Sequence, residues 1–385
     1  MSTPDSHRPW FVFAGGGTGG HLCPALAIAH ALRQLDDRVD ISFLCTDRPI
    51  DRRILGEAGM EAIPQGVRPF STRPWRWPGF LMAWRRAIAR CRSLFRERRP
   101  AAVVGAGGYG SDPPVRAALA ERIPTAILNP DLVPGRANRQ LGRYVDRIFA
   151  QWPGTAEYFP GVGGFRALGC PVRPGFLGLR EELRRSGLAR FGLQPQLRTL
   201  LTTGASQGAR TINEAMVALA PELGQLGGWQ VLHLSGPADV ERVQAAYRAA
   251  GLRATVVAFT DAMPEAMAVA DLAISRAGAS TLAELTVMGL PSILMPYPFH
   301  RDEHQLRNAR VLADAGAARI VPDRITTAEN VAALRSTLLA LARDASCLSA
   351  MAEAAKRLGQ PHAARRISAE LLDISHSRGA IRSAS

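Results

Sequence analysis

Lysine is almost absent from this chain: of 47 basic residues, all but Lys356 are arginine, and they stand against 33 acids for a formal charge of +14. So one-sided a choice points to codon bias more than to selection for charge, and the high pI alone is no evidence for nucleic acid. Cysteine is scarce as well. Cys23, Cys45, Cys91, Cys170 and Cys347 are far apart, odd in number and form no C-x-x-C pair, which argues against a zinc site or disulfide framework and fits a reducing cytoplasm. The first ten residues lack the basic-then-apolar pattern of a signal peptide. One uncharged stretch, 10–32, is long enough to span a bilayer, but it holds five glycines, Pro24 and two histidines. It reads as strand, glycine loop and helix, not as a membrane span.

What is present is ordinary for a globular protein: 47% apolar and 21% charged residues in a length of 385, enough for two or three domains. Strand-length apolar runs alternate with helical patterns, the signature of parallel α/β sheets. In the first half the strands fall at 10–14, 39–45, 102–106, 125–128 and 146–150. A Pro/Gly-rich linker follows at 169–178. The alternation restarts at 198–203 and continues through 229–234, 254–258, 272–274, 292–296 and 318–321, with helices near 326–341, 344–358 and 361–374. Each half opens with a strand running into a glycine loop, GGGTGGH at 15–21 and GASQGA at 204–209. Two such openings predict two Rossmann-like domains facing a cleft, with ligands at the carboxyl ends of the strands.

Gly15–Gly20 fits G-x-G-x-x-G, with Asp47 after the second strand where a dehydrogenase would hold a ribose. The Walker lysine is missing, which excludes a P-loop NTPase. Glycine N–H groups and a helix start suit an anion. His21 follows at once, either as a titratable group beside that anion or as a residue bridging the loop. GAGGYGS at 105–111 repeats the device or is a tight turn. Ser206 and Gln207 in the second-half loop, with Arg173 in GCPVR, suit a phosphate. The densest cluster spans 275–308. Glu284, in SRAGASTLAEL, suits a ribose diol, or is a solvated helix face. His300, Asp302, His304 and Gln305 suit sugar hydroxyls more than a metal.

Residues 68–99 hold ten arginines and one acid, Glu97, so nine of the 14 excess charges lie there. Trp75, Trp77, Phe80, Leu81 and Trp84 stand beside Arg73, Arg76, Arg85 and Arg86, a composition that suits an anionic membrane interface. Trp84, Ile88, Cys91 and Phe95 also fall at helical spacing, as in a docked amphipathic helix. Both readings hold together if the helix docks and the loop before it touches lipid. No other feature supports nucleic acid.

GGGTGGH, GAGGYGS, GCPVR, GASQGA, SRAGASTLAE and PYPFHRDEHQLRNA, in this order and spacing, resemble the MurG family, the N-acetylglucosaminyltransferases that convert lipid I to lipid II. The resemblance implies a GT-B fold without cofactor or metal: an N-terminal domain at 1–171, a C-terminal domain at 172–358, a last helix near 359–376 returning to the first domain, and a disordered tail at 377–385. It implies UDP-GlcNAc held mainly by the second half and lipid I met by the first, at the cytoplasmic face of the membrane. Thr18, Gly19 and Gly20 would lie against the donor diphosphate and sugar. Arg173 and Ser206 would contact UDP and the Thr260 backbone the uracil. Ala279, Ser280, Thr281, Leu282, Ala283 and Glu284 would hold diphosphate and ribose, and Gln305 the sugar. Tyr109, Asn129 and Asn138 would lie on the acceptor side.

One motif departs. The family usually has His-Glu-Gln-Asn where this chain has Leu128, Asn129, Pro130 and Asp131, so Asp131 takes the place of a donor-contacting Asn; Gly110 and Asp112 replace a usual Val and Gly. The reaction would be an inverting displacement by the C4 hydroxyl of MurNAc, with His21 as base and Asp131 the alternative. The rival readings are a related transferase with another sugar or acceptor, a non-catalytic sugar-binding paralogue, and a Rossmann oxidoreductase.

Overall fold

The computed structural model describes residues 8–383 apart from 18, 69–72, 74, 76, 205–207, 300–302 and 325; for 377–383 it describes the helical backbone alone. The chain divides into two compact units, Met1–Arg173 with His362–Ser385, and Pro174–Pro361. The first boundary falls after Arg173, where 171 was expected, and the second after 361, where 358 was expected.

The first unit is built on seven parallel strands: β1 (Trp10–Gly15), β2 (Asp40–Cys45), β3 (Glu61–Pro64), β4 (Ala102–Gly107), β5 (Thr125–Asn129), β6 (Arg147–Ala150) and β7 (Phe165–Ala167). Their order in the sheet is β3-β2-β1-β4-β5-β6-β7. Helices α1 (Gly19–Leu35), α2 (Pro49–Glu57), α3 (Trp77–Glu97), α4 (Asp112–Ala120) and α5 (Arg136–Leu141) connect them. All six residues of β1 are buried, because helices cover both faces of a parallel sheet and each face needs apolar cover. Alternation assigns the faces. Phe11 and Phe13 join one core with Leu22, Ile28 and Leu32 of α1. Trp10, Val12 and Ala14 join another with Cys91 and Phe95 of α3 and Val115 of α4.

The chain's last helix belongs to the first of these cores. Ile367, Leu371 and Ile374 recur at helical spacing and pack with Phe11 and Phe13, and the Ser368 hydroxyl donates to the Ile28 carbonyl at 3.2 Å. Fully burying each such side chain contributes roughly 1.5–3 kcal/mol. The helix runs from Ala363 to Ser383, past the end expected near 376 and into the stretch expected to be disordered. That stretch has no proline to stop a helix.

The second unit repeats the plan with six parallel strands. They are β8 (Arg198–Thr203), β9 (Trp229–Leu234), β10 (Ala254–Val257), β11 (Leu272–Ser275), β12 (Ser292–Leu294) and β13 (Ala318–Ile320), in the order β10-β9-β8-β11-β12-β13. The helices are α6 (Arg180–Phe191), α7 (Arg210–Ala218), α8 (Ala220–Gly224), α9 (Val240–Ala249), α10 (Met263–Val269), α11 (Ala279–Val287), α12 (His304–Asp314), α13 (Thr327–Arg343) and α14 (Ala345–Leu358); the last helix of the chain is then α15. In each sheet the order reverses beside the first strand, so the glycine loops after β1 and β8 sit at the switch points.

The core of the second unit holds one buried polar relay. His233 Nδ1 lies 2.7 Å from the Tyr247 hydroxyl and Nε2 3.0 Å from Asn213 Oδ1. Asn213 Nδ2 donates to the Ser235 carbonyl and to Asp239. The Asn oxygen therefore faces the ring, so Nε2 carries the proton and Nδ1 accepts from Tyr247. Burial pushes the His233 pKa down to about 3. The unfolded chain takes up this proton near pH 6.5 while the folded chain does not, so stability falls as pH drops through that value. Between pH 7.5 and pH 5 the loss from His233 is about 2 kcal/mol. Urea unfolding of wild type and His233→Gln at both pH values measures it: the pH-dependent loss should shrink by about that amount in the variant, whatever its stability at pH 7.5.

Candidate active site

The loop between β1 and α1 is gripped by the chain that follows β2. Asp51, fully buried in the first turn of α2, accepts the Gly17 N–H on both oxygens at 2.8 and 2.9 Å. It also accepts the Thr46 N–H at 3.2 Å and the Thr46 hydroxyl at 2.5 Å. Arg48 donates to the Gly17 carbonyl at 3.0 Å, and its guanidinium lies 6.0 Å from the centre of the Tyr109 ring. Gly16, at φ +143°, must be glycine: a Cβ there would overlap the Asp51 carboxylate. Asp47, the expected ribose ligand, is exposed. The carboxylate that serves this loop is Asp51, four residues further on.

His21 sits in the first turn of α1 between two glycine loops. A Cβ at Gly107 would come within 2.9 Å of its Cδ2, and one at Gly108 within 3.4 Å of its Nδ1, so the loop after β4 is bare where the ring packs. The ring is hydrogen-bonded to the Gly16 backbone. Burial lowers its pKa below the ordinary imidazole value, against the pull of Asp131, the Gly16 bond and Asp51. Burial thus favours the neutral imidazole. His21 and Asp131, the two candidate bases, thus act on one another within one unit.

Asn129 and Asn138 are buried and largely occupied. Asn138 Nδ2 donates to the Leu128 carbonyl at 2.8 Å and to Asn129 Oδ1 at 3.0 Å; Asn129 Nδ2 donates to the Asp131 carbonyl at 2.6 Å. Their work is to fix the turn that carries Asp131. Asn138 Oδ1 has no partner among the described residues.

In the second unit, α11 starts at Ala279 behind Gly278, which supplies no side-chain cap. A helix start of this kind suits an anion. Ser280, Thr281 and Glu284 are half-buried, and Ser280 and Glu284, four apart, share a face. Leu282 and Ala283 are buried in the core and offer no side-chain surface. The Gln305 carbonyl oxygen accepts the N–H of Ala277 at 3.2 Å and of Tyr297 at 2.9 Å, which leaves its NH2 end to meet a ligand. Glu303, just before α12, holds φ at +48°, a conformation costing of order 1–3 kcal/mol and often found beside functional sites. The Thr260 hydroxyl accepts the Ala262 N–H at 3.1 Å and turns the chain into α10. Arg173 is half-buried at the end of the first stretch. Thr18, Arg76, Ser206, Gln207, His300 and Asp302 lie outside the described residues.

Sequence reasoning also missed Arg276. Its guanidinium donates to Asp323 at 2.8 Å, to the Met295 carbonyl at 2.9 Å and to the Thr211 hydroxyl at 2.9 Å. Asp323 also accepts from Thr211 and Asn330. One buried ion pair thus ties together the loops after β11, β12 and β13 and the start of α7.

The Arg-rich helix divides by face. Ala87, Cys91 and Phe95 are buried, while Trp75, Trp77, Leu81 and Met82 are exposed, Trp75 to 72%. Phe80 is half-buried; Arg73, Arg85 and Arg86 are exposed. Trp84, which the sequence grouped both with the lipid-facing set and with the docked helix face, docks on α4. Its indole N–H donates to Asp112 at 2.6 Å, and Arg116 covers the ring at 5.5 Å. Among the described residues no helix is long and apolar enough to cross a membrane.

Two Rossmann-like parallel sheets, each with its switch point beside the first strand, are an architecture of nucleotide-sugar enzymes, and the matching family models narrow the class to glycosyltransferases. Residues 11–150 match the glycosyltransferase family 28 N-terminal domain and 199–367 its C-terminal domain. Within that class, the chain belongs to the family of UDP-N-acetylglucosamine--N-acetylmuramyl-(pentapeptide) pyrophosphoryl-undecaprenol N-acetylglucosamine transferases. The relative of that name from Desulforudis audaxviator is 36% identical, across 91% of this chain and 95% of its own. The one from Anaeromyxobacter dehalogenans is 38% identical, across 95% and 93%. The crystal structure of Acinetobacter baumannii MurG superposes with a TM-score of 0.75 at 28% identity, covering 95% of this chain and 99% of that one. A UDP-GlcNAc 2-epimerase from Neisseria meningitidis, at 14% identity and a TM-score of 0.66 over 94% and 100% of the chains, shares the fold alone. The fold is GT-B, with two Rossmann-like parallel sheets.

Arg276 and Asp323 are 12% and 0% exposed. Removing the cation strands a buried carboxylate, which costs about 3–5 kcal/mol. Arg276→Ala should lose about that much stability in urea unfolding, and Arg276→Ala with Asp323→Ala less than the sum of the two single changes.

Proposed function

We propose that this chain transfers GlcNAc from UDP-GlcNAc to the C4 hydroxyl of MurNAc in lipid I, giving lipid II with inversion at the anomeric carbon. The observation that carries the chemistry is the His21 ring held between two glycine loops at a switch point, where burial disfavours its charged form. As the alcohol attacks, its proton passes to His21 while the bond from the anomeric carbon to the diphosphate oxygen breaks and UDP leaves. A positioned base is worth roughly 10²–10⁴-fold. The start of α11 suits the charge that develops on the diphosphate, and preorganised donors of this kind contribute about 2.7–4 kcal/mol each. Ser280, Thr281 and Glu284 hold diphosphate and ribose, Thr260 lies by the uracil, and the Gln305 NH2 meets the sugar.

Radiolabelled UDP-GlcNAc with lipid I in detergent tests this reading: label should enter the lipid. His21→Ala should lower turnover by roughly 10²-fold or more, whereas Asp131→Asn should keep much of it. Wild-type turnover should fall as pH drops through an apparent pKa below the ordinary imidazole value, because the base must be neutral. An active His21→Ala with a dead Asp131→Asn moves the base to Asp131; no label in lipid defeats the transfer itself. Glu284→Ala should weaken UDP binding by about 1.5–3 kcal/mol in calorimetric titration, and unchanged affinity removes it from the ribose.

The exposed face formed by Trp75, Trp77, Leu81 and Met82 beside Arg73, Arg85 and Arg86 supports peripheral binding to the cytoplasmic face of an anionic membrane. Each such arginine contributes on the order of 1 kcal/mol there. Binding to anionic vesicles should fall with salt, and fall further in Trp75→Ser/Trp77→Ser/Leu81→Ser. Equal sedimentation of wild type and triple variant with vesicles would refute the assignment.

A further inference from the structure

Asp51 is a fully buried carboxylate to which the reaction just described gives no part. A buried charge persists where hydrogen bonds meet it, and the donors here are neutral: the Gly17 N–H on both oxygens, and the N–H and hydroxyl of Thr46. Its place in the first turn of α2, two residues after Pro49, adds the favourable end of a helix dipole. With Arg48 on the Gly17 carbonyl, the start of α2 grips both ends of this stretch of loop backbone. The neighbouring residue, Gly16, is bonded to His21 and leaves no room for a side chain against Asp51.

We propose that Asp51 is a positioning residue for the transfer: through Gly17 it fixes the Gly16 backbone that orients the His21 ring. The proposal rests on His21 being the base. The groups that bear on His21 come from several elements. Asp131 follows β5, the Gly107–Gly108 backbone follows β4, the Gly16 backbone follows β1, and Asp51 lies on α2; Arg48 reaches Gly17 from the same side as Asp51. Both carboxylates favour the imidazolium, and burial opposes them. Asp51 therefore acts on His21 twice, by geometry and by charge. Asparagine in its place would turn an NH2 toward the N–H groups of Gly17 or Thr46, losing both effects.

The test compares wild type, Asp51→Asn and Asp51→Glu as full chains, with two readouts. The first is the titration of the His21 Cε1 proton by NMR without ligands; the second is kcat and KM for transfer. In Asp51→Asn the His21 midpoint should move down and kcat should fall roughly tenfold or more, since displacement of a catalytic group by about 1 Å can cost 10²-fold. KM for UDP-GlcNAc should change less than about twofold, as expected when loss is confined to the transition state. Asp51→Glu restores the charge and should recover part of both. Unmoved His21 titration in Asp51→Asn overturns the proposal, even if kcat falls, because Asp51 then only braces the fold. If Asp51→Asn does not fold, Thr46→Val, which removes one donor to the carboxylate, should lower kcat about threefold; unchanged kcat there overturns it too. Activity surviving in His21→Ala defeats the base assignment separately, while the NMR titration still judges what Asp51 does to the ring.

Discussion

Every strand in each sheet is parallel to its neighbours, so all of them end at one edge, and each strand-to-helix loop is forced to that edge. The rest of the structure follows from this constraint. Residues scattered through the first unit, His21, Asp51, Tyr109 and Asp131, all stand on loops or helix starts after β1, β2, β4 and β5. Those of the second unit, Thr211, Thr260, Ser280, Glu284 and Gln305, follow β8, β10, β11 and β12 in the same way. A parallel sheet also leaves helix N-termini at this edge, with N–H groups that the helix itself cannot pair. Gly278 gives α11 no side-chain cap, the state in which a helix start suits an anion best.

Loops that present bare backbone to a ligand cannot hold themselves in place, and both units solve this with a buried carboxylate. In the first unit Asp51 meets the neutral donors of Gly17 and Thr46, and its charge adds to the field at His21. In the second, Asp323 is matched by Arg276, whose guanidinium also takes the Met295 carbonyl. The difference has a physical consequence. An uncompensated carboxylate favours a basic group nearby, whereas a carboxylate paired with a guanidinium fixes loops without adding negative charge where a diphosphate would be repelled.

The central strands were legible in the sequence because they are apolar throughout, as β1 and β9 show with every residue buried. β3 and β7 were not. They are edge or near-edge strands of four and three residues with half-buried side chains, and no apolar run marks them. At the candidate site, His21, Glu284 and Gln305 stand out in the sequence because motif and chemistry coincide in them. Asp51 and Arg276 were hidden because they touch loop backbone, and neither polarity nor spacing tells which carboxylate after a strand will turn inward. Asp47 has the expected position but faces solvent, while Asp51 sits one helical turn on and is buried. Trp84 was legible only in its spacing: composition grouped it with a lipid-facing set, periodicity with the docked face, and its bond to Asp112 follows the periodicity.

That bond also bears on the two places where this chain departs from the motif it resembles. Asp112, where a glycine is usual, has a structural use as the anchor of Trp84 and the partner of Arg116. Asp131 is different, because its charge reaches His21. Asn129 and Asn138 spend their amides on one another and on the backbone of Leu128 and Asp131, and so help to fix the turn. The carboxylate raises the basicity of an imidazole that burial would otherwise depress further. A stronger base accepts a proton more readily but is neutral over a narrower range of pH. If His21 is the base, as proposed, the departure at 131 tunes it from the turn after β5 and does not replace it.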